Sequence, residues 1–455
     1  MTAPAARPRP ARRAIDDLSL TVDDATFDAI ASASPAWLAD DRRAAFEAWR
    51  SLPAESNLLY TPYIDLRGAS LEGARLVPPA GQGAPSPPAT NVPDDADGLI
   101  EIADGICTGA ALSSGAQAVG VVLRPLGDDV EAVRGALTDQ RALPSTDKLA
   151  QLTRAMWSQG VVLDIPSGVH LDKPIVIRWA LGAPDRALVT RTLIRVGDGA
   201  SASIVEELVP SGEEPGAAQS FFAGTMELSL GANASLQVAS LQELPANVVA
   251  VQHRTADIGE AATLQWALAQ LGGRLVRSRV DNRLSGDRSS VRQVEIVFGS
   301  DQQLFDLTSY TTHVGRDTTG DLLSKAALLE KSRTYLKGLI VIEKSAHGTD
   351  SFLGEFGMNL SKDARSVAIP SLEIDQPDCR RAAHSSSVGP VDEGQLFYLE
   401  SRGIPPDEAR KFVVLGFLEP VVARVPLASA QDRLRELLEE KWISGTDGVA
   451  GEAAA

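Results

Sequence analysis

The chain has 455 residues, of which 44% are apolar and 23% charged, a composition typical of a soluble globular protein with a large buried core. Acidic side chains outnumber basic ones, 60 against 43, which gives a formal net charge of −17. A negative surface repels phosphate backbones, and no apolar run approaches the roughly 18 residues of a membrane span. We therefore expect neither a nucleic-acid partner nor a membrane partner.

The thiol content limits the chemistry of the chain. Cys107 and Cys379 are its two cysteines. Two thiols exclude a disulfide framework and a private four-thiolate metal site, and they fit a reducing cytoplasm. The first residues, MTAPAARPRPARRA, are basic and lack the apolar segment of a secretory signal. A transit peptide has similar composition, but we expect a disordered tail here.

The first region, residues 1–76, combines this tail with a helical segment. The stretch WLADDRRAAFEAW, from Trp37 to Trp49, places Leu38 and Phe46 near one face at helical spacing. It therefore predicts an amphipathic helix with the two tryptophans as core or docking aromatics.

A linker is predicted next, over residues 77–98. This stretch is rich in Pro, Gly and Ala and has almost no large apolar side chain. Such a composition cannot offset the entropy lost on ordering.

The middle region, residues 99–391, contains short alternating apolar stretches separated by turn residues, which predicts strands. A repeat begins at Gly199, Gly231, Gly259 and Gly286. In each unit the alternating apolar residues start a few positions later, at Ile204, Leu236, Leu264 and Val291. Weaker copies follow over 329–342 and 360–374. A glycine-cornered unit of this length cannot bury its own apolar face, so we predict stacked coils of a parallel β-helix, with a β-propeller as the weaker alternative.

The last region, residues 392–442, is predicted to be helical. Asp392 is a predicted N-cap and Gly403 a predicted stop, and a capping-box-like sequence begins at Ser429. Residues 443–455 predict a disordered tail.

Common catalytic motifs are absent from the sequence. It has no P-loop, no dinucleotide-binding glycine fingerprint, no H-E-x-x-H and no G-x-S-x-G. These absences argue against nucleotide hydrolysis, dinucleotide binding, zinc proteolysis and α/β-hydrolase chemistry by the chain itself.

His384 is the exceptional member of five histidines. It follows Cys379 by five residues, at the junction between strand repeats and helices. A thiolate and an imidazole this close are suitable ligands for iron, but two ligands do not complete a site. With Asp392 and neighbouring serines, His384 also resembles part of a hydrolase triad, although no oxyanion hole accompanies it. A structural role for His384 stays open.

The same junction resembles a known family. Its pattern H-x-x-x-V-G-x-x-D-E-x-x-L-F-Y-L-x-S-R-G-I is similar to the C-terminal signature of the SufB/SufD family, the scaffold proteins of SUF iron–sulfur cluster assembly. The segments that carry the resemblance are 378–404 and 408–422 and, less strongly, 264–286, 337–354 and 56–68. The V-G-x-x-D-E form and the absence of cysteines from 348–354 and 360–370 are closer to SufD than to SufB. The E-P in GFLEP is SufB-like, so a SufB-type paralogue stays an alternative.

The resemblance implies a right-handed parallel β-helix between helical domains. It also implies a SufB-like partner paired through the β-helix, and a SufC-like ATPase docked on the C-terminal helices. On that basis we expect a non-catalytic scaffold whose nucleotide chemistry is supplied by the partner, and a homodimer is possible. We expect the ATPase to contact residues of 392–442, namely Phe397, Tyr398, Arg402, Phe412 and Phe417.

The resemblance also places a transient iron–sulfur cluster, shared with the partner, near His384. Some SufD proteins have Cys two residues before this histidine, whereas this chain has Ala382 there. Cys379 is therefore a weaker candidate ligand. We expect no cluster to be held stably by the chain alone.

Two other functions are compatible with a chain of stacked β-helix coils. One is a β-helix enzyme acting on polysaccharide, which would need paired carboxylates that no repeat supplies. The other is a purely structural scaffold that stabilises its partner without touching the cluster.

Overall fold

The coordinates come from a computed structural model, which describes residues 18–53, 66, 68–78, 90–139, 141–212 and 216–453, with side chains as far as residue 444. Three sequence predictions lie outside these residues in whole or in large part. They are the N-terminal tail, most of the 56–68 segment and the middle of the 77–98 linker.

Helices lie at the two ends of the described chain. They are α1 Asp24–Ser32, α2 Ala36–Ser51, α3 Ser114–Ala118, α4 Arg134–Leu137, α5 Lys148–Met156, α6 Glu393–Ser401, α7 Pro406–Val422 and α8 Ala428–Ala453, with a short 3-10 helix at Leu126–Asp128. Helix α2 contains the segment predicted from Trp37 to Trp49, and it buries Leu38 and Phe46 as predicted.

The strands form two sheets. Sheet A contains β1 Arg75–Leu76, β4 Val122–Pro125, β5 Gln159–Ile165, β7 Arg186–Val196, β9 Ser220–Leu230, β11 Val248–Ile258, β13 Leu275–Leu284, β15 Leu304–His313, β17 Arg333–Ile342 and β19 Arg365–Ile374. Sheet B contains β2 Gly98–Ala103, β3 Ile106–Leu112, β6 Ile175–Leu181, β8 Ser201–Pro210, β10 Ser235–Gln242, β12 Thr263–Gln270, β14 Ser290–Gly299, β16 Thr319–Leu328, β18 Asp350–Asn359 and β20 Arg381–Pro390.

The chain alternates between the sheets from β5 onward. Each strand pairs in parallel with the strand two positions later, so two strands make one coil. The pairs from β5 and β6 to β19 and β20 form a parallel β-solenoid of eight coils. At the N-terminal end, β3 and β4 pair antiparallel with β2 and β5. The predicted mainly β, parallel β-helix fold with terminal helices is confirmed.

The register of sheet B confirms three of the four predicted repeat units. Leu236 pairs with Leu264, and Leu264 pairs with Val291. The first unit is displaced by two residues, because Ala202, and not Ile204, pairs with Leu236.

The displacement arises because the turns need glycine at two different places. Gly199 has φ of +65°, and Asn233 has +58° at the same place in the next coil. At Gly259, by contrast, a Cβ would lie 2.6 Å from the Leu230 carbonyl oxygen of the preceding coil. In the structure Gly199 corresponds to Asn233, which lies two residues after Gly231. The sequence repeat, which aligns Gly199 with Gly231, is therefore displaced by two residues in its first unit.

Apolar side chains form three layers. The interior of the solenoid contains the largest cluster, which includes the buried Trp266. The N-terminal helices cover the outer face of sheet A, where Phe46 belongs to the same cluster as Val249. Helices α7 and α8 cover the outer face of sheet B, where Leu418 belongs to the same cluster as Ile296. The terminal helices thus pack along the sides of the solenoid.

The β-rich region is followed directly by the C-terminal helices. Apart from the two-residue strand β1, the sheet strands run from Gly98 to Pro390; the sequence prediction for the core is 99–391. The C-terminal helices begin at Glu393, and α8 continues to Ala453, into the stretch where the sequence predicted a disordered tail.

Candidate functional site

The C-terminal end of the solenoid is formed by β19 and β20. Within the described chain β19 pairs with β17 alone and β20 with β18 alone. Each strand therefore presents a row of backbone N–H and C=O groups for which no neighbouring strand is described. We call the surface made by β19 and β20 the open end.

His384 lies on β20 at this open end. It is in register with Leu353 of β18, which is buried in a small interior cluster with Ile340 and Ile342. Because in-register side chains of parallel strands stack, the imidazole lies on the interior-facing side of the last coil. His384 is nevertheless exposed, since no described coil follows.

Cys379 lies in the turn between β19 and β20. It is a free thiol, half-buried against the cluster that also includes Leu372 and Ala382. Among the described residues no group of three or more His, Cys, Asp or Glu side chains is placed to hold a metal ion. Cys379 and His384 therefore do not belong to a complete metal site made of the described residues.

The other four histidines each bond a neighbouring side chain. His170 bonds Ser201, His253 bonds Asp281, His313 bonds Thr318 and Ser351, and His347 bonds Asp378 and Gln376. Burial lowers the pKa of His313 to about 4, so this ring is neutral and structural. His384 differs from all four, because no hydrogen bond joins its ring to any other described residue.

Two exposed apolar side chains at the open end were not predicted. Ile374 ends β19 and is 46% exposed, and Val388 lies on β20 and is 40% exposed. Their only signal in the sequence is their place in the last two strand repeats, which have no following repeat to cover them.

Helix α6 begins at the predicted N-cap. The Asp392 carboxylate accepts hydrogen bonds from the N–H groups of Gly394 and Gln395. None of the residues of α6 is buried. Its Phe397 is 73% exposed, and Tyr398 is also exposed, with the Arg402 guanidinium 5.2 Å from its ring centroid.

Helix α7 continues this exposed region. Phe412 is 55% exposed, although Val414 and Leu418 of the same helix are fully buried against sheet B. Phe417 is half-buried, with its ring under the Lys325 ammonium and its carbonyl accepting a hydrogen bond from the same group. Of the five residues predicted to bind a partner, Phe417 therefore also contributes to the fold. We call the exposed four, Phe397, Tyr398, Arg402 and Phe412, the aromatic surface.

The described chain is thus a parallel β-solenoid with helices on both outer faces and an open last coil. Residues 179–417 match the family model described as "SUF system FeS cluster assembly, SufBD core domain". The chain therefore belongs to the SufBD family, as its sequence motifs indicated.

Relatives within this family extend the comparison. The chain is 30% identical over 295 residues to the iron-sulfur cluster assembly protein SufD of Bacillus subtilis, covering 65% of this chain and 67% of that protein. It is 26% identical over 294 residues to a SufBD family protein of Staphylococcus epidermidis, covering 64% and 62%. It is also 26% identical over 275 residues to a SufBD family protein of Mycobacterium leprae, and this match covers 60% of this chain and 31% of that protein. The predicted likeness to SufD is confirmed.

In the described part of the chain, no helix combines the length and the apolar character that crossing a membrane requires.

Proposed function

We propose that this chain is a non-catalytic scaffold subunit of SUF iron–sulfur cluster assembly in the cytoplasm. In this proposal it pairs with a SufB-like subunit, a nascent cluster is held between the two, and ATP is hydrolysed by a SufC-like subunit. Family membership supports the assembly role, and the absence of nucleotide-binding motifs supports a separate ATPase.

The single observation that carries the proposal is the open end. Strands β19 and β20 offer backbone groups to a further strand, and Ile374 and Val388 offer apolar area beside them. A second solenoid placed there would continue both sheets and cover these side chains. A second copy of this chain offers the same surface, so a homodimer is the alternative when the partner is absent.

His384 is the residue we propose as a ligand to the transient cluster. Its exposed, unbonded imidazole at the open end is free to coordinate iron, with the remaining ligands supplied by the partner. Mixed imidazole and thiolate ligation suits a cluster that must be passed on. Cys379 is the weaker candidate, because it is half-buried in an apolar cluster.

The aromatic surface is where we propose that the ATPase docks. Exposed aromatic and arginine side chains are typical of the central residues of protein interfaces. Phe397 and Phe412 supply large apolar area outside the solenoid, and Arg402 supplies a charged group next to Tyr398.

The proposal is tested by measuring whether the SufB-like subunit still binds when the open end is altered. Ile374→Asp would place a charge within the interface, and we expect it to weaken co-purification of the SufB-like subunit by about tenfold or more. Ile106→Asp is the matched control, since Ile106 is an even more exposed isoleucine on β3, at the opposite end of the solenoid. Equal retention of the partner by both variants would contradict the proposal.

A further inference from the structure

Three glutamates lie inside the solenoid in one row of sheet B. Glu206 is on β8, Glu295 on β14 and Glu355 on β18, and all three are buried. Glu295 is in register with Ser324, which is in register with Glu355 on the following strand. Because side chains alternate across a strand and their neighbours in the row belong to the interior, these carboxyl groups face inward.

The three carboxyl groups differ in their partners. Glu206 accepts hydrogen bonds from the Arg254 guanidinium at 2.7 Å and from the Ser240 hydroxyl at 2.6 Å. From the described residues, Glu295 accepts one long hydrogen bond, 3.3 Å, from the Ser278 hydroxyl. Within the described residues, no cationic side chain hydrogen-bonds or ion-pairs with Glu295.

Glu355 resembles Glu295, because no cationic side chain among the described residues forms an ion pair with its carboxyl group. Its carboxyl group accepts a hydrogen bond from the backbone N–H of Ile369 at 3.0 Å. The cation that lowers its pKa is Lys337, which is ion-paired with Asp306. Arg254, the cation that influences Glu295, is likewise engaged with Glu206.

An unpaired carboxylate inside an apolar core is far less stable than the neutral acid. Burial raises the pKa of Glu295 to about 7, although Arg254 and the Ser278 hydrogen bond oppose the shift. Burial raises the pKa of Glu355 to about 8, with the Ile369 N–H and Lys337 opposing it and Glu295 adding to it. The charge of Glu295 therefore acts on Glu355 two strands further along the row.

We propose that the packing of the last coils depends on protonation of Glu295 and Glu355: the coils close tightly around the neutral acids and loosen when both are ionised. The row continues from Glu355 to Ser386 on β20, so the loosening would reach the open end. The folding of this chain would then weaken as the pH rises, independently of any partner.

The sign follows from proton linkage. A glutamate whose pKa is raised by folding stabilises the folded state fully below its ordinary pKa of 4.5, and this stability is lost as the pH rises toward the folded value. For each such group the folding equilibrium constant falls by up to about tenfold per pH unit within that window.

The test uses denaturant unfolding of the isolated chain between about pH 5.5 and about pH 8.5. Glu295→Gln and Glu355→Gln replace each neutral acid with a neutral amide of similar shape. Unfolding of each variant should release about one proton fewer than unfolding of wild type. The folding constant of the variant should therefore fall less steeply with pH, by a factor of up to about ten per pH unit. Glu227→Gln is the matched control, because the buried Glu227 carboxylate is ion-paired with Arg191 and neither residue acts on Glu295 or Glu355. We expect this variant to be less stable than wild type while the pH dependence contributed by Glu295 and Glu355 is retained.

Hydrogen exchange shows which strands loosen as the pH rises. It is measured on the wild-type chain, so the result does not depend on whether the glutamine variants fold. In the wild-type chain, amides of β18 and β20 are expected to open at least about tenfold more often at the higher pH, after correction for the intrinsic exchange rate. A wild-type slope retained in Glu355→Gln, or pH-independent opening of β18 and β20, would overturn the proposal. Since no partner is present, failure here leaves the proposed scaffold function untouched.

Discussion

His384 lies in register with Leu353, so the imidazole occupies on the last strand the position that a buried leucine occupies one coil earlier. A polar ring at an interior-facing position is tolerated there because the solenoid has no further described coil. The arrangement places a potential iron ligand within the surface that we propose for pairing.

Replacement of His384 by Ala tests the ligand role. Loss of an outer-shell partner alone lowers metal affinity by about 10–100-fold, so loss of a ligand should lower iron and acid-labile sulfide on the purified complex by about tenfold or more. The exposed side chain contributes little to packing, so we expect stability to change by less than about 0.5 kcal/mol. His170→Ala is the control, since His170 is an exposed histidine near the other end of the solenoid.

Cys379→Ser shows which of the two candidate residues, Cys379 or His384, contributes more to holding the cluster. The thiol is half-buried in an apolar cluster, and we expect its loss to affect cluster content much less than His384→Ala. Equal loss from the two variants, or unfolding of His384→Ala in thermal denaturation, would contradict the assignment of His384.

The isolated chain is expected to hold no stable cluster. Iron–sulfur clusters normally need four protein ligands, most of them thiolates, and this chain has two cysteines. Cys107 lies on β3 and Cys379 beside β20, at opposite ends of sheet B. Anaerobic reconstitution should therefore give little sulfide-to-iron charge-transfer absorption, and a stoichiometric cluster on the pure chain would be the contrary result.

Much of the fold was predictable because its coils repeat. Alternation of apolar residues predicted the strands, and their spacing predicted stacking, since a coil cannot bury its own face. The place of the C-terminal helices was not predictable, because the apolar residues of a helix do not say which surface covers them. Phe412 and Leu418 are both large apolar residues of α7, yet Phe412 is exposed and Leu418 is buried against sheet B.

The candidate site was predictable only in part. Family motifs identified His384, but the register that places it over Leu353 depends on strand pairing across the sheet. Glu295 and Glu355 were missed because charged residues in strands are ordinarily expected to face solvent. In this sequence nothing distinguishes them from exposed glutamates.

The aromatic surface gives a prediction about ATPase binding. The double variant Phe397→Ala/Phe412→Ala should weaken association of the SufC-like subunit by about tenfold or more, because truncating an aromatic hot spot costs about 2 kcal/mol or more. Val119→Ala, an exposed apolar residue after α3, is the control. Surface plasmon resonance with the immobilised chain measures both, and unchanged affinity in the double variant would remove the surface from the proposal.

Point variants are preferable to deletion for this measurement. Helices α7 and α8 bury Leu418, Leu434 and Trp442 against sheet B, so their removal would expose its apolar outer face. Leu418→Ala alone is expected to destabilise the chain by about 2–5 kcal/mol through the cavity it creates. Loss of ATPase binding in a deletion would therefore not separate docking from folding.

Asp147 joins α5 to the solenoid and gives the last prediction. Its carboxylate accepts a hydrogen bond from the Ala150 N–H, which caps the helix, and another from the Arg279 guanidinium at 2.7 Å. Burial alone would raise the pKa of Asp147, but Arg279, His253 and Arg277 together lower it to about 2. Its contribution is therefore present above the ordinary value of 3.8 and is lost as the pH falls toward 2.

Asp147→Asn keeps an acceptor for the helix cap and removes the charge that faces Arg279. We expect a loss of about 1–3 kcal/mol in the free energy of unfolding at neutral pH, since a buried guanidinium loses one charged partner. The difference from wild type should shrink as the pH falls from about 4 toward 2, because the carboxylate protonates in the unfolded wild-type chain first and in the folded chain only near pH 2. Asp139→Asn is the control, because its partner Arg141 is mostly exposed and such pairs contribute about 0–1 kcal/mol. Urea unfolding at neutral and acidic pH measures both variants, and a constant difference between Asp147→Asn and wild type would show that the charge is not what holds α5 to the sheet.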